Sequence, residues 1–229
     1  MAESVGDESG NKRFEAKLLS SDIAYIEVPG FEGDGNKATE FGTKVQRAIR
    51  HLDEEGACGW VVDLRSNHGG NMWPGLAGLG PLAGEGMVGR FSAPAEETDS
   101  WWYRGGKAGV GDRSRARIKG DAYPVIGDSE PVAVLTSDRT ASSGEALVLA
   151  FAGRDNSKRI GETTAGLATA NANIRLSDGS WLILAIGMME DRKGRQYPEG
   201  IPPDIEVMES EARERAVEWL SAMELCQKQ

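Results

Sequence analysis

Cysteine, histidine and positive charge are all scarce in this 229-residue chain. Its two cysteines, Cys58 and Cys226, lie far apart in sequence, so no disulfide framework can be inferred. Cys58, just ahead of an apolar strand, is expected as a small core residue rather than a nucleophile. Only His51 and His68 are available as imidazole bases near neutral pH. A formal net charge of -10 denies the chain the basic surface that nucleic acid or anionic lipid requires, which leaves peptides, neutral molecules or basic substrates as expected partners. No apolar run approaches the ~18 residues of a membrane-spanning helix, and the opening MAESVGDESGNKRFEAK has no apolar signal core. The chain therefore reads as soluble and cytoplasmic, or as secreted or periplasmic if a signal peptide has been removed. No metal or cofactor is expected, and the oligomeric state is left open.

Glycine, by contrast, is abundant at 30 residues, which together with 39% apolar content indicates a loop-rich globular protein rather than a disordered one. Residues 1–20 are polar and expected to be flexible; residues 21–229 are expected to form a single core domain. A strand at Ala24–Val28 precedes an amphipathic helix over Lys37–Glu55, whose Ala38, Phe41, Val45, Ala48, Ile49 and Leu52 recur at helical spacing. The runs GWVVDLR and PVAVLTS lack polar alternation, as parallel strands covered on both faces do. Between them come a glycine-punctuated turn with a short helix, a strand at MVGRFSAP, and a polar, glycine-rich stretch over Ala95–Glu130 without clear periodicity. KRIGETTAG predicts a strand and turn. Asp178-Gly179 predicts a hairpin, and Ser210 to about Cys226 a final helix. Strands alternating with helices define an α/β class.

Two strand ends carry chemistry. In SDRTASSGEALVLAF an apolar strand breaks and re-enters a helix over about Ser143–Ala152, which puts Ser142 or Ser143 at a helix N-terminus. A capping box of Ser142 with Glu145 explains this without catalysis. The other strand end reads DLRSNHGGN, where Gly69 and Gly70 tolerate the backbone conformations that turn N–H groups outward into an oxyanion hole. One turn offering a nucleophile and another offering donors at the carboxyl ends of parallel strands points to acyl transfer.

The blocks VVDLRSNHGGNMWPGLAGLGPLAGEG, TASSGEAL, GETTAG and GIPPDIEV occur in the order and approximate spacing of the carboxyl-terminal processing (tail-specific) serine proteases. The chain resembles this family, in its nisin-resistance and tricorn-like branch, from about Ala24 to Val207. The resemblance implies a Clp protease/crotonase-type spiral of ββα units, with Ser142 as nucleophile, Gly69 and Gly70 in the oxyanion loop, and a peptide or small acylated substrate. It also implies a shortened form, without the peptide-threading PDZ domain and helical cap.

The chain departs from the pattern at the base. Ser–Lys members carry a lysine in the turn after GE-x-T, whereas here Leu167 or a neighbour takes its place. Ser–His members carry a histidine in GD-x-HS, whereas here VGDESGNK has Glu8 and Ser9. His68 within the glycine turn is the substitute base, or else a turn histidine beside the cleft; His51 reads as a solvated helix-end residue. Glu199 is a candidate orienting acid or a solvated loop carboxylate, Asp204 is structural, and Asp63 with Arg65 form a pair organising the turn. Trp73 is a further candidate contact to substrate. Trp101, Trp102 and Tyr103 either line a substrate pocket or form a lid packed on its own core. A non-catalytic binder in the same cleft is the competing expectation, and a crotonase-type lyase or isomerase follows only from fold analogy.

Overall fold

The strands among the described residues form two six-stranded sheets. The computed structural model describes residues 14–19, 22–93, 99–126 and 130–227. In chain order the first half contains β1 (Glu15–Leu18), β2 (Ile23–Glu27), α1 (Gly35–Glu54), β3 (Gly59–Asp63), α2 (Met72–Ala83), β4 (Gly86–Ser92), β5 (Asp99–Arg104), β6 (Lys107–Val110) and β7 (Arg113–Arg117). The second half contains β8 (Val132–Thr136), α3 (Ser143–Phe151), β9 (Ser157–Gly161), β10 (Thr169–Arg175), β11 (Trp181–Glu190), β12 (Ile205–Glu206), α4 (Ala212–Ser221) and α5 (Glu224–Gln227). One sheet has the order β1-β2-β3-β8-β9-β12, parallel except for β1; the other, β10-β11-β4-β5-β6-β7, is antiparallel throughout.

Helices α1, α2 and α3 fill the space between the sheets, and α4 covers the far face of the parallel sheet through Ala212, Ala216 and Leu220. Helix α3 is buried at every position, as expected of a helix apolar all round. Its neighbour α2 crosses α1 closely: a Cβ at Gly78 would lie 2.6 Å from Val45 Cβ. A Cβ at Gly80 would collide with the Tyr103 ring, so glycine lets β5 press its aromatics onto the helix.

Four expectations are corrected. Within the segment expected to be flexible, Glu15–Leu18 forms β1 and pairs with β2; residues 1–13, 20 and 21 lie outside the described residues. Among its described residues the stretch Ala95–Glu130 contains three strands, β5 to β7, and its weak pattern reflects an edge: β7 ends the sheet, and Arg113, Ser114 and Arg115 are exposed in succession. The final helix breaks between Ser221 and Glu224 into α4 and α5. Finally, Cys58 and Cys226 form a disulfide, because α4 and α5 double back across the parallel sheet and bring their Cα atoms to 5.0 Å. That bond closes a loop of 168 residues. Cys58 is buried as expected, but as a cross-link.

Candidate active site

Strands β3 and β8 are parallel neighbours, with Asp63 opposite Leu135, so the turns that follow them leave the sheet side by side. Hydrogen bonds lock the two turns together. Leu64 N–H donates to Leu135 O (3.1 Å), Thr140 Oγ1 to Leu64 O (3.0 Å), Ser137 Oγ to Arg65 O (3.0 Å) and Ala141 N–H to Asn67 O (3.0 Å). Below them Asp63 takes both arms of the Arg65 guanidinium at 2.9 and 2.6 Å and the Tyr25 hydroxyl at 2.7 Å, the organising pair expected from the sequence. Burial first, and then the Asp63 carboxylate, push the Tyr25 hydroxyl far above its ordinary pKa.

Ser142 is the N-cap of α3, with φ 51° and ψ -110°. A non-glycine residue held there costs on the order of 1–3 kcal/mol, and such a sharp strand-to-helix turn is how a nucleophilic serine is pushed clear of its own backbone. The cost is met by the fixed surroundings. Glu145, wholly buried, accepts the Ser142 N–H at 2.8 Å in the capping box. The same carboxylate accepts Thr164 Oγ1 (2.7 Å), Gly166 N–H (3.0 Å) and Leu167 N–H (2.9 Å). It thereby ties the serine to the turn where Ser–Lys enzymes carry lysine. Leu167 in that turn is 54% exposed and offers no base.

Facing Ser142 is the glycine turn. A Cβ at Gly69 would lie 3.3 Å from Ser142 Cβ and 3.8 Å from its Oγ, so the two turns are in van der Waals contact. Gly69 and Gly70 have φ of 121° and 108°, and a Cβ at Gly70 would collide with the Phe31 carbonyl. Glycine is required by both backbone angle and space. The Gly69 N–H is already given to Asn67 Oδ1 at 3.2 Å, while Asn67 Nδ2 donates to Val28 O at 3.2 Å. Ser143 Oγ also points at Asn67 Oδ1, at 3.5 Å. Buried Asn67 thus links β2, the glycine turn and the start of α3. The sequence reading missed that role; the amide side chain next to His-Gly-Gly was its only signal.

His68 is exposed on the same turn, with Nδ1 3.0 Å from Arg139 O. A carbonyl only accepts, so the neutral ring carries its proton on Nδ1 and presents the Nε2 lone pair. Glu199 does not orient this ring; it is exposed, and its backbone packs against Gly166. Asp204 pairs with Arg159 at 2.8 Å, a structural role, and His51 lies exposed 3.5 Å from Glu55 Oε1.

The aromatic candidates separate. Trp73, half-buried in the first turn of α2, comes three residues after Gly70, and its backbone N–H donates to the capping Asn71 Oδ1 at 3.1 Å. Trp101 and Tyr103 have no exposed surface and belong to the core, which closes them to a substrate. Their strand neighbour Trp102 points the other way and donates Nε1–H to Gly111 O at 2.7 Å. The alternation was present in SWWYR but hidden by three consecutive aromatics. An open groove of about 1140 Å³ between β1 and α1, lined by Phe14, Leu18, Lys44 and His51, includes none of the Ser142 turn.

The chain is 27% identical over 227 residues to the nisin-resistance protein of Lactococcus lactis subsp. lactis, covering 96% of this chain and 67% of that protein. It is 28% identical over 188 residues to a carboxyl-terminal-processing protease of Synechocystis sp., covering 82% of this chain but only 38% of the relative. Among solved structures, a lipoprotein from Streptococcus agalactiae superposes with TM-score 0.75 at 27% identity, over 91% of this chain and 69% of that one. A photosystem II D1 C-terminal processing protease shares the fold, with TM-score 0.59 at 22% identity over 82% and 42% of the two chains. The model of peptidase family S41 matches residues 22–207, and the chain belongs to that family of serine peptidases.

Proposed function

We propose that this chain cleaves peptide amides through an acyl-enzyme on Ser142. The observation that carries the reading is the Ser142 backbone, strained at φ 51° and held against the Gly69–Gly70 turn at the ends of two parallel strands. In this mechanism Ser142 Oγ attacks the carbonyl carbon and His68 Nε2 takes its proton. The carbon–nitrogen bond then breaks as the amine takes that proton, and water, deprotonated by the same nitrogen, releases the acid. The Arg139 carbonyl supports His68 in this role by fixing Nδ1 as the protonated nitrogen. For the oxyanion we retain the glycine turn, with the Gly70 N–H as its donor because the Gly69 N–H is engaged by Asn67. The Ser143 N–H, which follows the nucleophile, is its natural partner. Trp73 beside this turn is the aromatic retained as a substrate contact.

The β2-α1-β3 and β8-α3-β9 units around the parallel sheet support a Clp protease/crotonase-type spiral. The Cys58–Cys226 bond favours an oxidising compartment, hence a secreted or periplasmic setting over the cytoplasm. Among the described residues no helix is long and apolar enough to cross a membrane. One observation favours a second reading, peptide binding without cleavage: among the described residues no base nitrogen hydrogen-bonds Ser142 Oγ, and His68 reaches Arg139 instead. A fluorophosphonate probe separates the two. Labelling of wild type that is abolished in Ser142→Ala and reduced at least ~100-fold in His68→Ala supports the hydrolase. A folded wild type that does not label sinks it, and undiminished labelling of His68→Ala removes His68 as base.

A further inference from the structure

Among the described residues, the hairpin of β10 and β11 is the element whose apolar side chains are least covered. Among the described residues β10 pairs only with β11, and β11 joins β4 only over Met188–Glu190. Beyond that junction Ile174, Leu176, Trp181, Leu182, Ile183, Leu184 and Ile186 are each between 42% and 65% exposed. Successive residues of a strand point to opposite faces, so Trp181 to Leu184 present apolar surface on both sides of the arm. A lone two-stranded ribbon is marginal in water, and the outer edge of β10 is an open row of backbone donors and acceptors. Elsewhere the exposed large apolar residues, Met87, Leu167, Met208 and Leu225, are scattered along the chain.

We propose that this arm is the interface of a homodimer, in which the β10–β11 arms of two copies pair about a two-fold axis. Charge selects a second copy as the occupant. Each chain carries -10, so two copies repel over most of their surface, but Thr169–Met189 holds only Arg175 and Asp178 and is neutral. Among the described residues an arm is also the largest cluster of exposed apolar side chains that another arm can meet, and a two-fold contact needs only one such patch. Seven large apolar residues are exposed on the arm, the material from which an interface burying ~800 Å² per partner is built. A lipid surface fits less well, because the unpaired edge of β10 would enter hydrocarbon unsatisfied.

Light scattering on the eluting protein, with sedimentation across a concentration series, tests this directly. The expected result is a particle of twice the 24.6 kDa chain mass at high concentration, with protection of β10 amides from hydrogen exchange that fades on dilution. Ile183→Lys, at a position 65% exposed, should return the particle to monomer with an unchanged circular dichroism spectrum. Leu182→Lys, on the opposite face, reports whether both faces are covered, and at least one of the two must dissociate the dimer. A wild type monomeric at every concentration overturns the proposal. So does a dimer unmoved by both lysines, or a monomer that sediments with phosphatidylcholine vesicles.

Discussion

Leu147–Phe151 of α3 and Trp181–Ile186 of β11 are close in apolar composition and opposite in fate. Every residue of the first segment is buried and every residue of the second is exposed. The difference is one of place. Helix α3 runs between two sheets, which cover it from both sides, whereas the part of β11 before its junction with β4 has no opposing layer among the described residues. Apolarity specifies that a segment must be covered; the topology specifies whether this chain does the covering. The same contrast underlies the two proposals. The Ser142 turn can hold a strained backbone because packed neighbours surround it, and the arm, lacking them, is suited to recruiting a partner.

The largest effect is expected where the packed region is tightest. Gly70→Ala places a methyl group against the Phe31 carbonyl at a φ that alanine disfavours. A loss of about 3 kcal/mol in chemical denaturation is expected, together with loss of fluorophosphonate labelling. A variant as stable as wild type would show that the glycine turn is looser than its contacts imply, and the contrast with the arm would weaken.

Next comes Glu145→Gln. The carboxylate accepts four donors, and an amide must turn its NH₂ toward some of them: Ser142 and Leu167 N–H on one side, Thr164 and Gly166 on the other. Stability should fall by about 2 kcal/mol, and labelling of Ser142 should slow because the serine loses its anchor. Normal labelling in a destabilised protein would confine Glu145 to folding.

These two positions also mark what could be read from the sequence. Glycine at position 70 and Glu145 as a cap were legible, since turn chemistry and capping depend on residues close in sequence. The attachment of Glu145 to residues 164–167 was not, nor was the bridging role of Asn67, because both arise only when separate turns meet across the sheet. For the same reason Cys58 and Cys226 gave no sign of pairing. Strands β5 to β7 were obscured by the run of aromatics in β5 and the solvent-open edge strand β7, and WLILAIGMM was legible as a strand of a hairpin but not as an uncovered one. An apolar run reads the same whether its cover comes from this chain or from another.

The smallest effect compares two carboxylates at the two ends of β11. Asp191 sits at its packed end, where burial alone would raise its pKa. Hydrogen bonds from the Arg195 and Lys193 N–H groups, the Tyr197 hydroxyl and the Arg195 guanidinium outweigh burial and hold it below the usual carboxylate range. Asp178, at the exposed tip, is also lowered, by the Ser180 hydroxyl and N–H. A carboxylate whose folded pKa is depressed adds stability above its unfolded pKa of about 4 and loses it as pH falls through the folded value. Denaturation midpoints should therefore drop as pH falls below about 4, and Asp191→Asn should flatten that acid limb while lowering stability at neutral pH. Asp178→Asn should flatten the limb much less, because solvent screens the exposed tip. Equal flattening by both variants would mean that the arm tip is as firmly embedded as the base of β11, as it would be if a partner copy enclosed it.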